Sequence, residues 1–348
     1  RWLYLDIGKF HGLAETMGPD SDPILSLVSR ETPYVCVGQH QEIAKEVDED
    51  FCREHGLPIY RRHVGGGAVY LDRNQLFTHF VYPRGKAPEY AINLYPLFIE
   101  PVVRTYREFG INAAYRPIND IQVDGRKIGG TGAASIGEAT VMVGSFMFDF
   151  DTQTMVRCLK VPSEKFRDKL RQTLDDYMTT MAKLLPEPPS RAALKARFLA
   201  HCTDVLGVEP VESSPTDAEW AAIEKAEREL ADPDWTYAQG RKLVEMGVKI
   251  SAGTHLTESA HKAPGGLMRV HLLAREGRIA DLMISGDDPG LPPDGVDRLS
   301  KALVGTELSN GPIAAAASRH AEELRIELPG VTAKDMATAI MAAVETGD

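Results

Sequence analysis

NDIQVDGRKIGGTG, residues Asn119 to Gly132, sets two strand-like runs on either side of Asp124-Gly125 and closes among the glycines at 129, 130 and 132. An Asp-Gly pair tolerates positive φ at both central positions of a two-residue turn. The spacing therefore predicts a hairpin whose returning strand starts with Arg126 and Lys127. The glycines leave Lys127 with little side-chain cover on its own strand. A compact ammonium beside bare main chain suits an oxygen that gains negative charge during acyl or phosphoryl transfer. The same composition also describes an ordinary solvated strand lysine. Asn119 and Asp120, just before the hairpin, carry groups that bind a nucleotide edge or Mg²⁺, and both are equally common turn residues.

Upstream, IYRRHVGGGAVYLD (Ile59 to Asp72) places Gly65, Gly66 and Gly67 directly after Arg61 and Arg62 in a run that otherwise alternates like a strand. Adjacent glycines in a strand cost backbone entropy and contribute no packing. They mark a bulge, a turn, or a close approach by a ligand or another backbone. Glycine amides beside a guanidinium make a local anion site. The segment is not a Walker A loop, because Gly8-Lys9 and Gly85-Lys86 are followed by Phe10 and Ala87 rather than Ser or Thr. Neither a dinucleotide fingerprint, nor HExxH, nor Cys/His zinc spacing, nor GxSxG occurs.

Working outward, Trp2 to Asp151 consists mostly of short β-branched or aromatic runs, which predict strands. Two helices interrupt them: Glu42 to His55 before Gly56, and Asn93 to Phe109 before Gly110, with Pro101 expected to kink the second. After Asp151 the pattern turns helical over Ser163 to Leu185, Arg191 to Val205 and Thr216 to Ala231. Thr216 and Glu219 have capping-box spacing. Beyond about Gln239 come a strand from Leu267 to Arg275, a turn at Glu276-Gly277, a strand from Arg278 to Ile284, and helices over Asp297 to Val304 and Lys334 to Val344. HKAPGGLMRV (His261 to Val270) reads as a loop entering a strand, with a second reading in which Lys262, Gly265 and Gly266 face an active site. These patterns predict an α+β protein, with a mixed sheet and helices in residues 1–238 and a small two-layer α+β domain in 239–348.

At 348 residues the chain is long enough for two domains. No run of about 18 apolar residues is present to span a bilayer, so no membrane insertion is expected. A net charge of -11 argues against sequence-independent nucleic-acid binding, which needs a basic surface. Cys36, Cys52, Cys158 and Cys202 are scattered without CxxC spacing, and reduced cytoplasmic thiols are expected.

Together, RRHVGGGAVYLD, FTHF, NDIQVDGRKIGGTG and GSFMFDFD resemble the lipoate-protein ligase family, part of the biotin and lipoate ligase superfamily, over about Trp2 to Lys183. KVPSEKFRDK resembles the stretch that follows the central sheet in these ligases, and Gly265 to Val304 resembles their small accessory domain. The resemblance implies a biotin/lipoate-ligase-like sheet and an ATP- and Mg²⁺-dependent reaction. Lipoate is activated to lipoyl-AMP and passed to a lysine of an acceptor, which is a lipoyl domain, a glycine-cleavage H-like protein or a stand-alone lipoate-binding protein. By that resemblance Lys127 is catalytic, and Arg62, Gly65, Gly66, Gly67, His79, Asn119, Asp120 and Gly130 bind substrate or adenylate, with Asp120 also serving Mg²⁺.

Three positions depart from the family pattern: Val64 replaces a usual serine, and Leu71 and Val143 replace usual histidines, with His79 a candidate to restore part of the lost polarity. Two other readings stay open. One is a cysteine-dependent octanoyl or lipoyl transferase working through Cys158, although VRCLK lacks the Pro-Cys-Gly context of those enzymes. The other is a non-catalytic binder of lipoate or lipoyl domains.

Overall fold

The β-branched and aromatic runs of the first half pair into a seven-stranded mixed sheet in a computed structural model, which describes residues 2–5, 10–117, 119–161, 163–238, 249–251, 254–287, 290–292 and 294–345. The strand order is β1 (Trp2–Leu5), β2 (Ile24–Val28), β6 (Gln75–Pro83), β10 (Ala139–Met147), β9 (Arg126–Ile136), β8 (Asp120–Val123) and β7 (Ala114–Arg116). The β1–β2 pair is parallel and the others are antiparallel. A smaller sheet joins β4 (Ile59–Arg61), β3 (Tyr34–Val37) and β5 (Val69–Leu71), with β3 and β4 parallel.

One face of the large sheet packs on aromatic side chains of α4 (Ala91–Glu108) and α8 (Arg191–Leu206). Phe80 meets Phe98 at 4.8 Å between ring centroids, and Phe146 meets Phe198 at 5.2 Å. The Tyr106 hydroxyl donates to Ile128 O and accepts from the Met147 amide, so this buried phenol is satisfied by the two central strands. Successive strand residues point to opposite faces, which turns His79 away from Phe80 and toward α1 (Phe10–Glu15). The rings of His79 and Phe10 lie 4.9 Å apart. Behind α1, Gly12 rests on the backbone of α9 (Asp217–Leu230), where an added Cβ would stand 2.4 Å from Ile223 Cα.

Local chemistry sets the turns. Asp124 (φ 49°) and Gly125 (φ 77°) form the expected hairpin, and Glu276 (φ 52°) with Gly277 (φ 71°) forms another. Thr216 and Glu219 complete the capping box at α9. The helix expected from Glu42 to His55 is divided into α2 (Ile43–Glu46) and α3 (Glu49–Glu54). Asp48 accepts the Phe51 amide to cap α3, and Val47 pairs with Leu159. α4 continues through Pro101 as one helix. After α5 (Thr152–Cys158), the helix expected from Ser163 to Leu185 also breaks, into α6 (Glu164–Tyr177) and α7 (Met181–Leu184). Met178 pairs with Lys127 at that break, and the Thr180 side chain caps α7. α10 (Pro233–Thr236) follows α9.

The chain divides into two compact units. The first holds residues 1–37, 43–61 and 68–236; the second holds Gly38–Glu42, Arg62–Gly67 and Tyr237–Asp348. The domain boundary expected at 238/239 adjoins residues 239–248, which lie outside the described residues. The second unit contains an antiparallel sheet of β11 (Lys249–Ser251), β12 (Thr254–Ala263), β13 (Gly266–Arg275) and β14 (Arg278–Gly286), with α11 (Gly295–Ala302), α12 (Asn310–Glu323) and α13 (Ala333–Glu345). Its core gathers Val270, Leu272 and Ile284 of the sheet with Leu299, Ile313 and Ile340 of the helices. Pro264 and Gly265 form the tight turn between β12 and β13, where Lys262 pairs with Leu267 and Ala263 with Gly266; the residues before this turn, expected as a loop, are the end of β12. Among the described residues, no helix is long and apolar enough to cross a membrane.

Candidate active site

A β-bulge decides where Lys127 points. Asp120 pairs with Gly130 and Ile121 with Gly129, but Gln122 pairs with Lys127, so β9 holds one extra residue opposite β8. In a regular strand, residues 127 and 130 would lie on opposite faces. The extra residue brings Lys127 onto the face of Gly130 and Asp120. The side chain then folds over Gly130, where an added Cβ would stand 3.2 Å from both Lys127 Nζ and Cε. Gly130 thus leaves room for the lysine.

The ammonium is held by Asp120, with Nζ 2.7 Å from Oδ1 and both side chains partly exposed. The other carboxylate oxygen, Oδ2, accepts the Tyr177 hydroxyl at 2.7 Å. Burial first, and then the hydrogen bond to Asp120, push the Tyr177 phenol up to about 12, so it remains a donor. The Thr179 amide donates to Lys127 O at 2.8 Å. Asn119 secures the strand entrance: its amide Nδ2 donates to Thr131 O, while its own carbonyl accepts from the Thr131 amide and hydroxyl.

The same face continues along the register through Gly132, Val143 and His79 to Ser26. Gly130, Gly132 and Val143 are half-buried, which leaves a strip of main chain beside the lysine within reach of a ligand. His79 lies directly across from Val143 but is only 5% exposed, and burial pushes its imidazole down to about 3. It therefore adds a neutral ring to this face and no charge.

The structure brings Lys127, Asp120, Asn119, Gly130 and His79 together on β6, β8 and β9 of the first unit. Arg62, Gly65, Gly66 and Gly67 belong to the second. There the guanidinium donates to Gly65 O at 2.8 Å and to Gly67 O at 2.9 Å. Gly66 (φ 94°) donates its amide to Asp287 O. A Cβ on Gly38 would stand 2.0 Å from Gly66 O, so this loop uses glycine for the contact of two main chains. Asp287 also accepts Gln41 Nε2 and the Leu267 amide, and pairs with Lys262 at 3.6 Å. Val64, at the position of the usual serine, is buried.

Cys158 is fully buried, and its thiol is pushed well above the ordinary range by a hydrogen bond with Cys52 and by burial. Such a thiol is a poor nucleophile. Among the described residues, no group of three or more His, Cys, Asp or Glu side chains is placed to hold a metal. Asp120 fits Mg²⁺ only as a single ligand alongside phosphate oxygens, because magnesium is commonly held by one or two carboxylates plus substrate phosphates.

Sequence reasoning missed Tyr177 and Thr179, which lie within the helix expected from Ser163 to Leu185. The available signal was Thr179-Thr180, residues that favour a helix N-cap and so mark a restart.

Residues 11–203 match the family model for the lipoyl protein ligase A/B catalytic domain. Lipoate-protein ligase LplJ of Bacillus subtilis (strain 168) is 27% identical over 301 residues, covering 86% of this chain and 85% of that protein. Octanoyltransferase LipM of Kyrpidia tusciae is 26% identical over 242 residues, covering 62% of this chain and 87% of that protein. Among solved structures, the bipartite lipoate protein ligase of Thermoplasma acidophilum, described with its E2 lipoyl domain, aligns at TM-score 0.63 with 23% identity, over 70% of this chain and 98% of that one. Lipoate-protein ligase A bound with ATP aligns at TM-score 0.59 with 20% identity, over 69% of this chain and 99% of that one. The fold is that of lipoate ligases.

Proposed function

The chain belongs to the lipoyl protein ligase A/B catalytic domain family, and on that premise we propose that it is an ATP-dependent lipoate-protein ligase. The observation that carries the reading is the bulged strand that aims Lys127 over Gly130, its ammonium held by Asp120 beside a half-buried strip of glycine backbone. In the first step a lipoate carboxylate oxygen attacks the α-phosphorus of ATP. A carbon–oxygen–phosphorus anhydride forms and pyrophosphate leaves. In the second, the neutral ε-amine of an acceptor lysine attacks the acyl carbon, the acyl–oxygen bond breaks, AMP leaves, and the nitrogen gives up a proton to form the amide. Lys127 pairs with the oxygens that carry developing charge in both steps, an electrostatic role that requires no covalent bond to the enzyme.

Asp120 would ligate Mg²⁺ together with the nucleotide phosphates, and the metal would neutralise phosphate charge. Arg62 and the amides of Gly65, Gly66 and Gly67 are acyl- and phosphate-binding groups in this reading; to serve, Arg62 must release the Gly65 and Gly67 carbonyls. Asn119 acts through its hold on Thr131, and His79 as a neutral wall. Residues from 239 onward form an accessory domain. The acceptor is a lipoyl carrier of the lipoyl-domain type, as in the Thermoplasma system. The four cysteines are buried and none is in a disulfide, which suits a reducing, cytoplasmic setting.

The test is lipoate-dependent exchange of labelled pyrophosphate into ATP. Exchange by the wild type, lost by about 100-fold or more in Lys127→Ala, is the expected result. A wild type that binds lipoate and ATP but catalyses no exchange would sink the reading. The transferase reading draws on the octanoyltransferase relative and requires Cys158; a Cys158→Ala variant that keeps full acyl transfer removes it.

A further inference from the structure

Thr180 caps the restart at α7, but helix chemistry alone gives no reason for α6 to stop at Tyr177, since Tyr177 and Met178 are tolerated in helices. What occupies the break is the lysine strand. Residues 177–179 hold Lys127 at both ends: the Thr179 amide takes its carbonyl at 2.8 Å, Met178 forms a parallel bridge with it, and Tyr177 holds the carboxylate that holds its ammonium. The two oxygens of Asp120 are divided, Oδ1 to the ammonium and Oδ2 to the phenol, each at 2.7 Å. A carboxylate with one oxygen fixed cannot rotate without breaking that bond, so the phenol sets the plane from which Lys127 is aimed over Gly130.

We infer that Tyr177 is a positioning residue for Lys127, acting through Asp120. The inference rests on the ligase reading for its catalytic consequence, but not for the clamp itself. Without the phenol, Asp120 turns freely and the ammonium samples positions away from the strip. Both half-reactions slow, while lipoate binding stays the same, because the phenol acts on the aim of the ammonium through Asp120.

The experiment uses the full chain as wild type, Tyr177→Phe, Asp120→Ala and the double variant. It measures pyrophosphate exchange kinetics, together with the rate at which trinitrobenzenesulfonate labels Lys127, followed by peptide mass mapping. Tyr177→Phe keeps the ring and should leave the melting temperature unchanged. Its expected kcat is lower by about tenfold, as for loss of one charge-assisted hydrogen bond, with KM for lipoate within about twofold. In the Asp120→Ala background the same substitution should cost nothing further, because a residue acting through a missing partner has no independent effect. Labelling of Lys127 should rise about threefold in Tyr177→Phe as the ion pair loosens. An active wild type whose Tyr177→Phe variant keeps its kcat, or loses the same factor again without Asp120, overturns the inference. If the wild type shows no exchange, the ligase reading falls and labelling alone decides: a rise at Lys127 upholds the clamp, and an unchanged rate overturns it.

Discussion

The glycine run at Gly65 to Gly67 and the glycine cluster around Lys127 look alike in sequence, each pairing flexible main chain with fixed positive charge. In the folded chain they differ in what fills the space the glycines leave. At Gly38 it is the carbonyl of Gly66, and at Gly66 it is the Arg62 guanidinium, which is bonded to carbonyls of its own loop. At Gly130 it is a lysine side chain, held at one point by a carboxylate and bordered by half-exposed main chain. Glycine composition therefore signals close approach without saying by what. The test is what a substitution costs: stability where backbone meets backbone, activity where a side chain needs room.

Gly38→Ala should show the largest effect. Its Cβ would fall 2.0 Å from Gly66 O, a main-chain atom that cannot step aside cheaply. A loss of about 3 kcal/mol is expected, read as a lower unfolding temperature and faster amide exchange in the 62–67 loop. Unchanged stability would break the comparison. Next is Arg62→Ala, which removes the hydrogen bonds to Gly65 O and Gly67 O and should cost about 2 kcal/mol by the same measurements.

Gly130→Ala should behave in the opposite way. Its Cβ meets only the flexible end of Lys127, so the fold should be unaffected while pyrophosphate exchange falls by about tenfold through displacement of the ammonium. Loss of stability with normal turnover would place this glycine in the first class.

His79 provides the most pH-specific effect, one that vanishes near neutral pH. Burial holds its pKa near 3 in the folded chain against an ordinary 6.5. Below about 6.5 the unfolded chain takes up a proton that the folded chain refuses. The stability tied to the neutral ring is thus complete above 6.5 and is lost as pH falls toward 3, at no more than about 1.4 kcal/mol per pH unit. Comparing melting temperatures of wild type and His79→Leu between pH 7 and pH 4 should show a shallower acid slope in the variant. Parallel slopes would mean that the imidazole is protonated in place.

Much of the fold was legible because it rests on local rules. Asp124-Gly125 specified a hairpin from two φ values, and Thr216 with Glu219 specified a helix start from two hydrogen bonds. The errors came where partners distant in sequence intervene. Glu42 to His55 reads as one helix until Val47 pairs with Leu159, and Ser163 to Leu185 reads as one until Met178 pairs with Lys127. The alanine-rich helix α12 carries few of the apolar repeats that would announce it, and it is held by packing of Ile313, Ala316 and Ala317 into the second core.

What the sequence determined by itself was the family resemblance, carried by Lys127 and its glycines and by the arginine and glycine run, because residue types and spacing are properties of the chain alone. Which face Lys127 occupies was settled by a bulge that exists only once β8 and β9 pair. That Tyr177 shares Asp120 with it, and that Gly66 meets Gly38, depended on strands and loops far apart in the chain coming within hydrogen-bonding distance. Hydrogen bonds and steric exclusion act over a few ångströms, so only the tertiary structure could decide which groups they join.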